Sequence, residues 1–106
     1  MVDQALLHTV RDRLVEGFHP LKIILFGSQA RGDADSHSDV DILVICPVSG
    51  SRRKMMVEMD RSLRGLSLAR DIVILTPEEF ERDKSIPGTI ARPAWKEGIT
   101  LYESQS

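Results

Sequence analysis

The 106 residues of the chain, 42% of them hydrophobic and 28% charged, fit one folded domain spanning residues 1–106 and exclude disordered and fibrous proteins. A net charge of -2 supplies no positive field to attract long nucleic acid, which disfavours a nucleic-acid partner. No apolar stretch is long enough to span a membrane, so we expect a cytoplasmic location.

Two elements precede the first glycine-containing loop. Apolar residues recur at helical spacing near the amino terminus, namely Leu6, Leu7, Val10, Leu14 and Phe18. Asp3 can cap this helix, and Gly17 and Pro20 are expected to end it. The short apolar run from Lys22 to Phe26 then predicts a buried strand that stops at Gly27.

A second apolar strand begins after a small, polar loop. The run from Val40 to Cys46 ends at Pro47, so Asp39 and Asp41 stand at the beginning of this strand. Cys46 cannot form an intramolecular disulfide and lies among apolar residues, which favours a buried, inert thiol.

A helix and a third strand follow. Ser49 or Ser51 can start a helix that ends near 65–67. Its apolar stripe favours core packing over a binding surface and consists of Met55, Met56, Met59, Leu63 and Leu66. Asp71 opens the next apolar run, which continues to Leu75.

The carboxyl-terminal third is predicted to be less regular. Thr76 and Pro77 begin a short helix that has a capping-box glutamate. Prolines and a glycine then interrupt regular structure at Pro87, Gly88 and Pro93, so we expect only a helical turn over 92–97 and an extended segment over 99–102.

The strand pattern predicts that three carboxylates converge. Alternate residues of a strand lie on one face, about 7 Å apart, so Asp39 and Asp41 project together. A helical crossover to the strand of Asp71 favours a parallel pair, which brings Asp71 beside them. The strand ending at Phe26 must run antiparallel to bring Gly27 to the same edge. The predicted fold is a small α/β mixed sheet of three main strands, with room for a short fourth, flanked by helices.

Three neighbouring carboxylates repel one another unless a cation binds. Mg²⁺ prefers oxygen ligands, and two such ions would suit an in-line displacement at phosphorus.

Gly27 and Ser28 follow a buried strand and could accept phosphate oxygens. Arg31 could reach phosphates or form a surface ion pair, and His37 could contact a nucleotide or lie in solvent. Asp-x-Asp alone more often marks a solvated strand start, and it is the joint pattern with Gly27 and Ser28 that favours a metal site.

These motifs resemble a known family. The stretch Leu25–Gly32 followed by Ser38–Ile42 resembles the signature of DNA-polymerase-β-like nucleotidyltransferases, in which Gly-Ser is followed after ten residues by Asp-x-Asp. The small size resembles the minimal nucleotidyltransferase branch, whose members are commonly partnered with an all-helical HEPN protein.

The resemblance implies the nucleotidyltransferase fold and a role for each motif residue. Gly27 and Ser28 would bind the triphosphate of a nucleotide, with ATP as the expected donor. Asp39 and Asp41 would ligate magnesium, and Asp71 would ligate metal or accept the proton of the attacking hydroxyl. The implied activity is adenylylation of a HEPN partner, in the manner of an antitoxin acting on a toxin.

Two other functions stay open from the sequence. The chain could neutralise a toxin by surface contact alone, without catalysis. It could also modify a small molecule or an RNA end, but a separate subunit would then have to bind the acceptor.

Overall fold

The computed structural model describes residues 4–27 and 40–104. Four helices and four strands lie in this part of the chain. The helices are α1 (Gln4–Phe18), α2 (Arg52–Ser62), α3 (Pro77–Asp83) and α4 (Ala91–Glu97). The strands are β1 (Lys22–Phe26), β2 (Val40–Ile45), β3 (Arg70–Leu75) and β4 (Ile99–Glu103).

The strands form one mixed sheet in the order β3-β2-β1-β4. β2 and β3 are parallel, whereas β1 is antiparallel to both β2 and β4. The parallel pair is joined through α2, as a crossover connection requires. The predicted directions of the three main strands are confirmed, and the short fourth strand is present at the edge beside β1.

Each face of the sheet packs against two helices. On one face, buried side chains of α1 and α2, among them Leu14 and Met59, meet the alternate strand residues that include Ile23 and Ile42. On the other face, Phe80 of α3 joins the two buried alanines of α4 against the remaining strand positions. Burying apolar surface on both faces is what stabilises a sheet of this kind. The methionine stripe packs on the first core, as expected.

Two helix ends differ from the predictions. Gly17 lies within α1, which ends at Phe18, because His19 takes the left-handed conformation (φ 49°) that usually falls to glycine. α2 begins after Ser51, one of the two predicted starts, but ends at Ser62 rather than near 65–67. Gly65 takes a left-handed conformation (φ 91°) just beyond this end, and the Arg13 guanidinium of α1 donates to the carbonyl oxygens of residues 62 and 64 at 3.2 and 3.1 Å. Asp3 lies outside the described residues.

The carboxyl-terminal segment agrees with the prediction to within one residue at each boundary. α4 covers residues 91–97 and tolerates Pro93 because the ring stands in the first helical turn, where its missing N–H costs no hydrogen bond. Gly98 follows, and β4 begins at Ile99. α3 has the predicted capping box, formed by Thr76 and Glu79.

Within the described parts of the chain, none of the helices has the length and apolar character needed to cross a bilayer. Cys46 is buried, as expected, with 1% of its surface exposed.

Candidate active site

Two of the predicted carboxylates lie side by side at one edge of the sheet. Asp41 and Asp71 are register partners in the parallel pair β2 and β3, each as the second residue of its strand. Neighbouring strands lie about 4.8 Å apart, so these side chains start one strand spacing from each other. Asp41 is partly buried and Asp71 is exposed.

Strand alternation places both carboxylates on the same face of the sheet. Residues 40, 42 and 44 of β2 pack in the core beneath α1 and α2. Leu43 and Ile45 face α3 and α4 instead, and Asp41 shares their parity. In β3, Val73 and Leu75 likewise pack toward α3 and α4, on the side to which Asp71 belongs. Both carboxylates therefore lie on the face of the sheet that packs against α3 and α4, at the edge of the apolar core on that face.

Gly27 brings the turn after β1 against this pair. Phe26 is the register partner of Asp41, so the next residue stands beside the Asp41 side chain. Gly27 has a φ of 80°, and a Cβ at this position would fall on Oδ2 of Asp41. Only glycine allows both the backbone conformation and the close approach of the carboxylate. The predicted meeting of these two segments is thus observed.

The remaining predicted site residues are not part of the described structure. Ser28, Arg31, His37 and Asp39 lie in the segment 28–39, and their assignment remains a prediction from the sequence. In residues 4–27 and 40–104, no three metal-binding side chains come together, and Asp39 was the third member expected for such a group.

The donor set of the described pair suits magnesium. Asp41 and Asp71 supply hard carboxylate oxygens, the ligands that Mg²⁺ prefers, and few protein ligands leave room for water and phosphate oxygens. The bare Cα of Gly27 leaves space beside Asp41 that a side chain would fill. These residues therefore fit a Mg²⁺ site in which nucleotide phosphates would complete the coordination.

A cavity of about 300 Å³ opens between α2 and the edge strand β3, and Asp71 is one of its lining residues. Arg70, Asp60 and Val57 line it along with Asp71. The Arg70 side chain is only 12% exposed and donates to the Asp60 carboxylate at 3.1 Å and to the Leu68 carbonyl at 3.0 Å. Sequence reasoning missed this arginine, although its position directly before the predicted catalytic aspartate was a usable signal.

The comparisons with known proteins agree with this geometry. A family model described as a nucleotidyltransferase domain matches residues 7–98. A search of curated proteins finds no match. Among solved structures, a Sulfolobus solfataricus protein described as a nucleotidyltransferase is similar at 23% identity, with a TM-score of 0.65, over 96% of this chain and 81% of that one.

Two toxin-antitoxin structures are similar as well. One is an aspartate-to-glutamate double mutant of MntA-HpeT, with 20% identity and a TM-score of 0.69 over 93% of this chain and 74% of that one. The other contains AMP-PNP and has 23% identity and a TM-score of 0.65 over 92% of this chain and 74% of that one. At these identities the likeness shows a common fold.

The family model spans nearly the whole described chain, and the fold, the paired aspartates and the adjoining glycine are those expected for the motif. The solved structures share the fold of this chain, and the chain belongs to the nucleotidyltransferase domain family.

Proposed function

We propose that this transferase moves AMP from ATP onto a hydroxyl of a helical, HEPN-family partner protein, as an antitoxin acting on its toxin. The observation that carries the proposal is the register pairing of Asp41 with Asp71. Gly27 lies directly beside this pair, where a Cβ would collide with the Asp41 carboxylate. The AMP-PNP found with a structurally similar toxin-antitoxin protein supports ATP as donor. The MntA-HpeT structure supports a protein partner.

In the proposed reaction, a bond forms between the acceptor oxygen and the α-phosphorus while the bond to the bridging oxygen breaks and pyrophosphate leaves. The proton of the hydroxyl passes to Asp71, whose exposed carboxylate an incoming acceptor can reach. Gly27 and Ser28 cradle the triphosphate, and Arg31 binds its oxygens. Catalysis by these residues consists mainly of positioning and charge stabilisation.

The proposed site contains the ligands for magnesium. Asp39, Asp41 and Asp71 would hold one or two Mg²⁺ ions, which supply positive charge to the triphosphate and to the departing pyrophosphate. Without a cation the three carboxylates would repel the nucleotide that they are meant to bind. We therefore expect transfer to require a divalent cation.

Transfer can be tested by intact-mass measurement of the copurified partner. Coexpression with the wild-type chain should add one or more AMP masses to the partner, which identifies donor and acceptor together. Asp41→Asn and Asp71→Asn should each slow labelling from α-labelled ATP on the order of 100-fold or more, the scale of losing one electrostatic stabiliser. Asp12→Asn changes the same charge on α1 and should leave the rate intact. Full transfer by the site variants would reject the assignment.

One observation favours a second function, neutralisation by binding alone. The structure leaves large apolar side chains about half exposed near the carboxyl terminus, including Ile90 at 47% and Trp95 at 49%. Exposed aromatic and aliphatic groups are typical of protein contact surfaces. If the Asp39→Asn, Asp41→Asn double variant still protects cells fully from the toxin while Trp95→Ala does not, the chain acts by contact rather than by catalysis.

A further inference from the structure

The cavity beside Asp71 continues into a second one that is rich in arginine. This second cavity, of about 360 Å³, lies where α2, the following turn and the start of β3 meet. Val57, Asp60 and Arg70 line both cavities, so the two form one continuous groove. Its far end is lined by Arg61 and Arg64. We name the whole continuous groove, which Arg61, Arg64 and Arg70 line, the arginine groove.

The three arginines differ in how they are held. Arg70 is nearly buried and fixed, because its guanidinium donates to the Asp60 carboxylate, the Asp60 carbonyl and the Leu68 carbonyl at 3.0–3.1 Å. Arg61 and Arg64 are exposed, and within the described residues no carboxylate pairs with either of them. One wall of the groove is therefore neutralised, while the other presents two guanidinium groups that have no carboxylate partner in the part of the chain that the structure describes.

The backbone that carries these two charges is itself anchored. Arg13 of α1 donates to the carbonyl oxygens of residues 62 and 64, which closes the carboxyl end of α2. The turn around Arg64 is thus tied to another helix by a charged donor. A fixed backbone keeps the attachment points of these two side chains at one end of the groove, so that no backbone ordering is needed when they bind a ligand.

From these features we propose that the arginine groove binds an acidic side chain of the acceptor, one that lies close to the hydroxyl being modified. The proposal rests on the function proposed above, since it assumes that the acceptor hydroxyl approaches Asp71. Guanidinium groups pair with carboxylates through two parallel hydrogen bonds, which suits them to this task. The acceptor would then be selected by a charge next to its reactive residue.

A protein acceptor fits the groove better than a nucleic acid. Val57 lines both cavities, is 48% exposed and offers an apolar contact rather than a phosphate contact, and Asp60 beside it would repel a phosphate. Nucleic-acid sites instead carry basic side chains spaced along a path that follows the backbone. The net charge of -2 over the whole chain also gives no long-range attraction for RNA.

The test is a binding measurement that needs no catalysis. The probe is a fluorescent peptide with one tyrosine among about eight glutamates, compared with the same peptide carrying glutamine and with single-stranded RNA of similar charge. The Arg61→Glu, Arg64→Glu double variant should bind the acidic peptide roughly tenfold or more weakly, as expected when two charge-assisted contacts are lost. The Arg53→Glu, Lys54→Glu control reverses two charges at the other end of α2 and should bind like wild type.

The possible outcomes separate the arginine groove from the proposed AMP transfer. Equal peptide binding by wild type and the Arg61, Arg64 variant overturns the groove, whatever the transfer activity is. Tighter binding of RNA than of the acidic peptide, lost in the same variant, also overturns it in favour of a nucleic-acid acceptor. A matching loss of AMP-PNP binding would assign the arginines to the nucleotide instead. If peptide binding depends on the arginines while wild type transfers no AMP to its partner, the groove stands and the proposed activity fails.

Discussion

Gly27 meets two separate steric requirements. Its φ of 80° disfavours any side chain, and an added Cβ would fall on Oδ2 of Asp41. We predict that Gly27→Ala displaces the Asp41 carboxylate and lowers the transfer rate on the order of 100-fold, since misplacing a catalytic group by about 1 Å can have that effect. It should also reduce the free energy of unfolding by about 1–2 kcal/mol through the backbone conformation alone. Transfer assays and urea titrations measure the two effects.

Gly50 provides a matched control for this substitution. It has nearly the same φ, 79°, but a Cβ there meets nothing within 4 Å. Gly50→Ala should therefore share the conformational cost and keep full activity. Equal activity losses in the two variants would show that the backbone strain, and not the contact with Asp41, explains the result.

At the level of elements, Glu79 connects α3 to α2. One carboxylate oxygen accepts from the backbone N–H of Thr76 and the other from the Arg52 guanidinium, both at 2.9 Å. The Arg52 hydrogen bond, and after it the Thr76 backbone N–H, hold the pKa of Glu79 below its ordinary value. A lowered folded-state pKa means that the ionised form stabilises the fold above the unfolded-state pKa, and that this stability disappears as the pH falls through the folded-state pKa.

We predict that Glu79→Gln lowers the free energy of unfolding at pH 7 by about 0.5–1 kcal/mol, because glutamine keeps the cap but loses the charge. This difference from wild type should shrink as the pH falls below the ordinary glutamate pKa of about 4.3 and through the lower folded-state pKa, where the wild-type carboxylate takes up a proton. Urea midpoints at several pH values measure it. Glu78→Gln removes a charge from the same helical turn without an Arg52 contact and should show a smaller difference. A difference that persists unchanged at pH 3 would contradict the assignment of the effect to ionisation.

Gly98 sets the junction between α4 and β4. A Cβ there would fall on the carbonyl oxygen of Ala94 and on the Ile24 side chain, although its φ of -73° is ordinary. We predict that Gly98→Ala lowers the free energy of unfolding by about 1–3 kcal/mol, as overpacking does. Gly17→Ala places its methyl group in open space within α1 and should instead stabilise by about 0.5–1 kcal/mol. Thermal or urea unfolding distinguishes the two, and stabilisation by both would mean that the junction has room to adjust.

On the scale of the whole molecule, the sequence predicted the sheet because its strands are continuous apolar runs with abrupt ends. The bounds of β1 agree with the prediction, and the parallel register that joins Asp41 to Asp71 follows from the crossover between them. Gly27 could be placed at the same edge for the same reason. The helical turn predicted over 92–97 is observed as α4, which begins one residue earlier, because a proline that breaks a helix interior is harmless in a first turn.

The arginine groove could not be read from the sequence in the same way. Arg61 and Arg64 belong to a helix end and a turn, and Arg70 belongs to a strand, so no single periodicity relates them. Their convergence depends on where α2 ends, and carbonyl oxygens at that end accept hydrogen bonds from Arg13 on a different helix. Long-range contacts of this kind determine surface sites, whereas the local pattern determines the elements.

Cys46 reports on the stability of the whole fold. It lies in the core between the sheet and the helices α1 and α2, with 1% of its surface exposed, and its N–H donates to the Leu75 carbonyl at 3.0 Å. Burial raises the pKa of its thiol. Because the thiolate is the reactive form, both the raised pKa and the lack of access protect it.

We predict that a thiol reagent at pH 8 does not label the native chain and modifies its one cysteine once denaturant unfolds it. Since Cys46 belongs to the core that α1 and α2 cover and directly follows β2, exposing it requires the core to open, so the labelling rate should rise with urea as steeply as global unfolding does. Unfolding followed by Trp95 fluorescence supplies the reference midpoint. Labelling at a urea-independent rate would instead mean that the end of β2 opens locally while the rest of the sheet stays intact. The cores on the two faces of the sheet would then not unfold as one cooperative unit.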